Sequence, residues 1–463
     1  MDLCLDESPF RTAKPFLDGQ GRYQPVSYWQ ETVAVTPGEP LSENISCDVA
    51  IVGGGFTGLS VAYHLKQHAP DLDVVLLEGA VIGHGASGRN GGFSMPLLGW
   101  DLYSTAQAVG EAQAKHAYEV MYRAVAHFKE LIHRHEIPCD LEETGYLLIA
   151  TCEARERHNR AEYALAHRMG FDHQWLDKKA LEDYIRSASF RSAVFDPHPC
   201  IVNPAKLARG LKSVVESMGV RIYERSPLYE LRDKKPITLR AGNGAVKATQ
   251  VVLALNGYGA AVGFKPAQIL PVHTFIVLTE PLTQAQLEEI GWAKYRASLE
   301  TARNFIHYFR LTADNRIAFG GEDAQLYYGG RYQDHDERIC SALKARFREY
   351  FPSLAHVRFT HEWGGQLGVT LEMFPTFGIT GDHKSIFYAC GYSGHGVSLS
   401  NYAGALLAPV MLRAAGRREA LPADDLPFFW QFEPMRIPPD PLRYIGLQAY
   451  RWALRIQDKI EGA

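Results

Sequence analysis

The sequence has no apolar run long enough to cross a bilayer. Its best stretch, AGALLAPVML, stops at Arg413, whereas a spanning helix needs about twenty apolar residues. CxxC pairs are also missing. The cysteines Cys4, Cys47, Cys139, Cys152, Cys200, Cys340 and Cys390 are odd in number and lack ligand-like spacing. They read as reduced thiols of a cytosolic protein, with neither a disulfide framework nor a metal site. There is no basic excess to neutralise a nucleic acid: 48 lysines and arginines face 52 acids, a net charge of −4. The opening MDLCLDESPFRTAKP carries acids where a secretory leader carries bases and an apolar run. A soluble, cytoplasmic chain is expected. Internal repeats and low-complexity tracts are not visible either.

What is present is ordinary globular composition, 46% hydrophobic and 22% charged, in a chain of 463 residues. That length suits two joined domains better than one core. CDVAIVGG reads as a strand buried on both faces. FTGLSVAYHLKQHAP follows with helical spacing at Leu59, Ala62, Tyr63 and Leu65, closed by Pro70, and DVVLLEG is a second buried strand. Strand, helix and strand make a βαβ unit. Gly53, Gly55 and Gly58 form GxGxxG between its strand and helix. They provide a tight turn, close approach of backbone to a pyrophosphate, and close helix–sheet packing. The helix opens on Phe56 and Thr57, and its N–H groups and positive dipole end face the phosphates. Glu78 ends the second strand, somewhat beyond the usual spacing of about twenty residues. There a carboxylate accepts from both ribose hydroxyls and disfavours a 2′-phosphate. A packing turn beside a surface glutamate is the bland alternative.

Further along, a long amphipathic helix is predicted from Gly110 to Glu136, with Met121, Val125, Phe128 and Ile132 on one face. GYLLIAT reads as a strand, and NPAKLARGLKSVVESMGVRIYE as a helix then a strand. PITLRAGNGAVKATQVVLAL reads as a hairpin turned at Gly242-Asn243-Gly244. From about Pro266 to Thr360 the texture changes, and TFIVLTEPL, NFIHYFRLT and RIAFGGE alternate as antiparallel strands do. The final third returns to strand, turn and helix. The predicted fold is α/β: a Rossmann-like nucleotide domain of discontinuous segments with an inserted α+β substrate domain containing an antiparallel sheet. The nucleotide domain takes 45–100, 195–260 and 360–420, and the substrate domain 101–194 and 261–359. Residues 1–44 form a lead-in, with Tyr28 and Trp29 packing over the main domain, and 421–463 form a tail helix.

NAD and FAD share the first unit, so a second signal must choose between them. GHGASGRNGG, from Gly83 to Gly92, follows directly. Together with DVAIVGGGFTGLS it resembles the D-amino-acid oxidase family of FAD enzymes, and within it a subgroup of amine oxidoreductases. VVLALNGY resembles that family's late strand beneath the adenosine of FAD. EWGGQLGVTLEMFPTFG and YACGYSGHGVSLS resemble its two C-terminal flavin segments, so the matches run from Cys47 to about Gly404. The resemblance implies FAD, and it adds Gly85, Ala86, Ser87, Arg89, Asn90, Gly91, Ala254, Gly391, Ser393, Gly394, His395, Gly396 and Val397 to the cofactor site. Small residues in GASGRNGG let backbone pass close to a flat ring, while Arg89 and Asn90 can reach its polar edge or the diphosphate. A surface salt bridge is the alternative for Arg89. In GYSGHGV a helix starting near Ser398 or earlier would bring positive potential to the flavin's N1–C2=O edge.

The family oxidises a carbon–nitrogen bond by hydride transfer to flavin N5, giving an imine that water hydrolyses. Such chemistry needs positioning and a neutral amine more than a dedicated base. The resemblance therefore implies an amine or amino-acid substrate. Candidate pocket residues are Tyr308, Arg310, Gln366 and His395, with His307 and Trp363. Alternation along HYFR puts His307 and Phe309 on one face and Tyr308 and Arg310 on the other. Arg310 either binds a substrate carboxylate bidentately or is a structural arginine at the domain seam. His395 is expected to hydrogen-bond rather than catalyse. Family members that tether the flavin use a cysteine or a histidine, at positions that fall near Gly365 and Arg89, so non-covalent FAD is expected, although His84 is close by. Some oxygen-using members carry a lysine on the strand matching RIAFGG, where this chain has Ala318. The acceptor is thus oxygen or a quinone or other carrier. In the tail, Leu442, Ile445, Tyr450, Ala453 and Ile456 suggest an amphipathic helix docked on the protein or a sister subunit, or contacting a membrane surface. A flavin monooxygenase would need a nicotinamide site, and no second GxGxxG stands between a strand and a helix. A non-catalytic flavin-binding protein would show losses at the flavin segments, which look intact.

Overall fold

The computed structural model describes residues 1–4, 15–417 and 426–462. The centre of the first sheet is parallel. Asn44–Val52 lies between Gly244–Leu253 and Val74–Leu77, with Val251 opposite Ala50 and Val49 opposite Val74. Arg221–Tyr223 extends the sheet beyond Val74–Leu77, and Ile386–Cys390 pairs parallel with Gly244–Leu253. The ends of these strands nearest the site are apolar on both faces because helices cover them, as parallel strands require. The predicted hairpin is present: Ile237–Ala241 and Gly244–Leu253 meet with Ala241 opposite Gly244, across a two-residue turn whose Gly242 has φ +56°.

The βαβ helix is Phe56–His68, and it crosses the long helix Gly396–Ala414 closely. A Cβ on Gly404 would lie 2.1 Å from the Ser60 carbonyl oxygen, so glycine is required at the crossing. The Ser60 hydroxyl fills the seam, donating to the Asn401 carbonyl at 2.6 Å.

The second sheet has eight strands. Leu270–Thr279 is flanked by Phe359–Val369 and Ile317–Gln325, followed by His307–Leu311, Ser298–Thr301, Tyr146–Ala150, Ser192–Asp196 and Gln174–Leu176. Every pairing is antiparallel except that of Ser298–Thr301 with Tyr146–Ala150. One face carries Phe275, Val277, Phe309 and Phe319 into a core shared with Phe347 of the helix Glu337–Tyr350. The opposite face turns toward the first domain.

Two domain seams differ from the sequence expectation. The helix Glu111–Arg134 has the predicted buried face, but Met121 and Phe128 share a core with Leu59 and Leu407 of the nucleotide domain. Periodicity shows which face is buried without showing what buries it. Ser192–Asp196 and Phe359–Val369 belong to the second sheet, so the boundaries placed at 195 and 360 move. The second of these strands pairs along nearly all of Leu270–Thr279, a match that no local signal announces.

The lead-in does pack on the main domain. Trp29 is buried in the short helix Tyr28–Glu31, Gln30 donates to the Gly83 and His84 carbonyls, and the Ser27 hydroxyl donates to that of Gly88 at 2.7 Å. Among the described residues no helix is long and apolar enough to cross a membrane. The cysteines whose side chains are described are unpaired.

Candidate active site

A cavity of about 750 Å³ lies between the two sheets. At one end is the glycine turn. Gly53 has φ +111°, and a Cβ there would fall 2.5 Å from the Ala254 carbonyl oxygen. At Gly55 a Cβ would meet the Ser87 hydroxyl at 2.9 Å, and that hydroxyl accepts from the Phe56 N–H at 2.9 Å. The turn and the 83–92 loop are thus fastened together. Gly58 does not line the cavity; its Cβ would strike the Gly53 carbonyl at 2.0 Å, so it serves helix–sheet packing. Glu78 lines the cavity and accepts from the N–H groups of Gly54 at 2.7 Å and Ala80 at 2.8 Å. Burial pushes its carboxyl up to about 7 against the pull of those donors. Helix-start N–H groups, glycines without room for a side chain and a buried acid together fit a dinucleotide.

The 83–92 loop is held from several sides. Gly85, Ala86, Ser87, Arg89, Asn90 and Gly91 line the cavity. The Arg89 guanidinium is committed elsewhere: Nε donates to the His84 carbonyl at 2.8 Å, and Nη1 binds Asp334 and Tyr332. These bonds fasten the loop to Asp334 and Tyr332 while Arg89 remains part of the cavity wall. Asn90 bridges the loop, donating to the Ala86 carbonyl and accepting from the Gly92 N–H. From the second sheet, the Trp363 indole donates to the Arg89 carbonyl at 2.8 Å. Ala254 and the stretch Ser393, Gly394, His395, Gly396 and Val397 complete this part of the wall. His395 caps the helix Gly396–Ala414, so the helix begins ahead of Ser398 and presents its N-terminus to the cavity. Gly391 stands behind the wall with φ +74°, its N–H donating to Asn256.

A model of the family described as FAD dependent oxidoreductase (DAO) matches residues 48–409. The chain belongs to the DAO family. It is 32% identical over 396 residues to the gamma-glutamylputrescine oxidoreductase of Escherichia coli (strain K12), covering 83% of this chain and 88% of that protein. To the glycine oxidase of Geobacillus kaustophilus (strain HTA426) it is 25% identical over 387 residues, 79% of this chain and 93% of that one. The crystal structure of glycine oxidase from Geobacillus kaustophilus superposes with a TM-score of 0.69 at 22% identity, covering 84% of this chain and 99% of that one. The predicted family and fold class stand.

In this DAO-family fold the second sheet forms the far wall. Tyr308, Trp363 and Gln366 line it, and Tyr308 meets Phe93 edge-on at 5.9 Å. His307 points the other way, to Glu322 at 2.7 Å and the Tyr350 hydroxyl at 3.0 Å. Arg310 requires a correction. It is 1% exposed and outside the cavity, donating through Nε to the Leu311 carbonyl at 2.9 Å and through Nη1 to that of Val202 at 2.6 Å. No part of it faces a substrate carboxylate; of the two readings weighed, the structural arginine at the seam is the one present. Ala318 also lies outside, among Trp29, Ile276 and Trp363.

The sequence reading missed Glu300. It lines the cavity beside His395, with Tyr146 donating to it at 3.2 Å. An acid within SLET, flanked by the core residue Leu299, was the available signal. The inner side of the tail helix Leu442–Glu461 was missed as well. Leu447, Arg451 and Leu454 line the cavity mouth, and Arg451 pairs with buried Asp323 at 2.6 Å.

Proposed function

We propose that this enzyme oxidises the carbon–nitrogen bond of an amine or amino acid, using FAD held without a covalent tether. The observation that carries the reading is one continuous cavity. It joins a phosphate-ready glycine turn and helix start to a buried polar wall bearing Tyr308, Gln366, His395 and Glu300. FAD, when bound, supplies the two-electron acceptor that no side chain provides. The chain supplies the rest. The 83–92 loop and the Gly396–Ala414 helix start form a rigid seat, with partial positive charge at the helix end. The second sheet excludes water and orients the substrate. Relatives whose names carry gamma-glutamylputrescine and glycine fit this class.

Several features support a non-covalent cofactor. Gly365 and Arg89 lie near the family's tethering positions and face each other, a Cβ on Gly365 falling 3.4 Å from that of Arg89. His84 is no substitute, because Nδ1 is engaged by the Tyr23 hydroxyl and Nε2 by Arg89, both at 3.0 Å. Burial holds its ring well below the ordinary histidine range. Electrons leave to oxygen or to a quinone or other carrier. Membrane-surface contact is favoured by the outer face of the tail helix, where Leu442, Ile445, Trp452 and Ile460 are exposed.

Acid precipitation tests the cofactor reading. FAD is expected in the supernatant; FMN there would contradict the pyrophosphate cradle, and flavin retained in the pellet would contradict the absence of a tether.

A further inference from the structure

Glu300 is 5% exposed on the strand Ser298–Thr301, directly opposite Tyr308 of the adjoining strand. Leu299 beside it enters the apolar core, so alternation turns Glu300 to the cavity. The Tyr146 hydroxyl donates to Oε2 at 3.2 Å. His395 Nε2 stands 3.8 Å from Oε1, too far for a hydrogen bond, and Nδ1 of that ring is buried without a partner. Among the described residues no lysine or arginine forms an ion pair with this carboxylate. The other acids of the substrate-side lining are matched: Asp323 by Arg451, Asp101 by His158, Asp196 by Tyr122 and His198, and Glu162 by the Leu102 and Tyr103 N–H groups. Of the lining arginines, Arg89 pairs with Asp334, Arg155 with Asp458 and Arg451 with Asp323, while Arg303 has its Nε buried without a partner.

A carboxylate taken out of water without a cation is costly, and a cationic ligand group offsets that cost. We propose that Glu300 binds the protonated nitrogen of the substrate, and that the substrate is an amine with no carboxylate on the reacting carbon. This rests on the carbon–nitrogen oxidation reading above. An amino acid would bring its own carboxylate next to Glu300, where the two like charges repel. The same contact prepares the nitrogen for oxidation. One N–H bond of the ammonium breaks, one O–H bond forms on Glu300, and no electrons leave the amine in this step. Both partners end neutral, the form that burial favours.

The test is anaerobic reduction of FAD-loaded wild type, Glu300→Gln and Glu300→Asp by straight-chain monoamines, α,ω-diamines and the corresponding α-amino acids. Wild type should be reduced by amines in preference to amino acids. Glu300→Gln should raise the half-saturating amine concentration about 100-fold, as expected for a lost charge-assisted contact. In that variant the value should fall about tenfold per pH unit as neutral amine accumulates below its pKa of about 10, a dependence the wild type lacks. If Glu300→Gln does not fold, Glu300→Asp, which keeps the charge but withdraws it by one methylene, is read instead, with a rise of about tenfold expected. Preference for amino acids, or unchanged half-saturation in the variants, overturns this proposal alone. Absence of reduction by any amine or amino acid overturns the carbon–nitrogen reading and this proposal with it.

Discussion

The Arg310 guanidinium donates to carbonyls of Leu311 and Val202, with Gly91 at 3.4 Å, and lies 5.2 Å over the Trp29 ring. It thus ties the second sheet to the loop that lines the cavity. Burial lowers its pKa to about 10. Arg310→Ala leaves buried carbonyls without donors, each costing about 1–3 kcal/mol. The expected outcome is a stability loss of about 3 kcal/mol with weaker FAD retention, and equal effects on amine and amino-acid substrates. Thermal melts and FAD content check the first part, and reduction kinetics the second. A loss confined to amino acids, at unchanged stability, would restore the carboxylate-binding role. At this scale legibility followed locality. Gly53 and Gly55 announced themselves because a tight turn and close backbone approach are requirements of neighbouring residues. Arg310 and Glu300 did not, because each takes its role from segments far away in the chain: Val202 and Gly91 for one, Tyr146 and His395 for the other.

Elements with a strong period were legible as elements but not as placements. The tail helix is the clearest case. Leu442, Ile445, Tyr450, Ala453 and Ile456 were expected on one face, either docked or against a membrane surface; that face is exposed, as are Trp452 at 66% and Ile460 at 80%. The helix docks through its other side: Arg451 pairs with Asp323, and Asp458 with Arg155 while accepting from the Asn304 N–H at 3.1 Å. On that side Leu447 also packs against Leu270, Val272 and Ile437, so the inward face combines apolar contact with charge pairs. The outward stripe leads to an element-scale prediction. Replacing Trp452 and Ile460 with serine should abolish co-flotation with anionic lipid vesicles, since each exposed apolar side chain contributes about 1.5–3 kcal/mol when buried. Turnover with a soluble acceptor should be unchanged. Wild-type protein that does not float, or a variant that floats equally well, would contradict membrane contact.

On the scale of the molecule, the two sheets and the cavity between them make one device. The parallel sheet carries its glycine turn at one end of the cavity, and the antiparallel sheet supplies a wall that encloses the other. That the first sheet is built from separated stretches of chain was suggested by short glycine-rich segments at its turns. Its seams were not, since a strand such as Phe359–Val369 reads alike in either sheet. The measurement that bears most directly on the account is anaerobic titration of the holoprotein with an amine panel, following flavin absorbance. The account predicts that at least one amine bleaches the flavin completely, with one equivalent of amine consumed per flavin and a carbonyl product after hydrolysis. Flavin that stays oxidised with every amine and amino acid, yet is bleached by a reduced nicotinamide or a hydroxy acid, would contradict it.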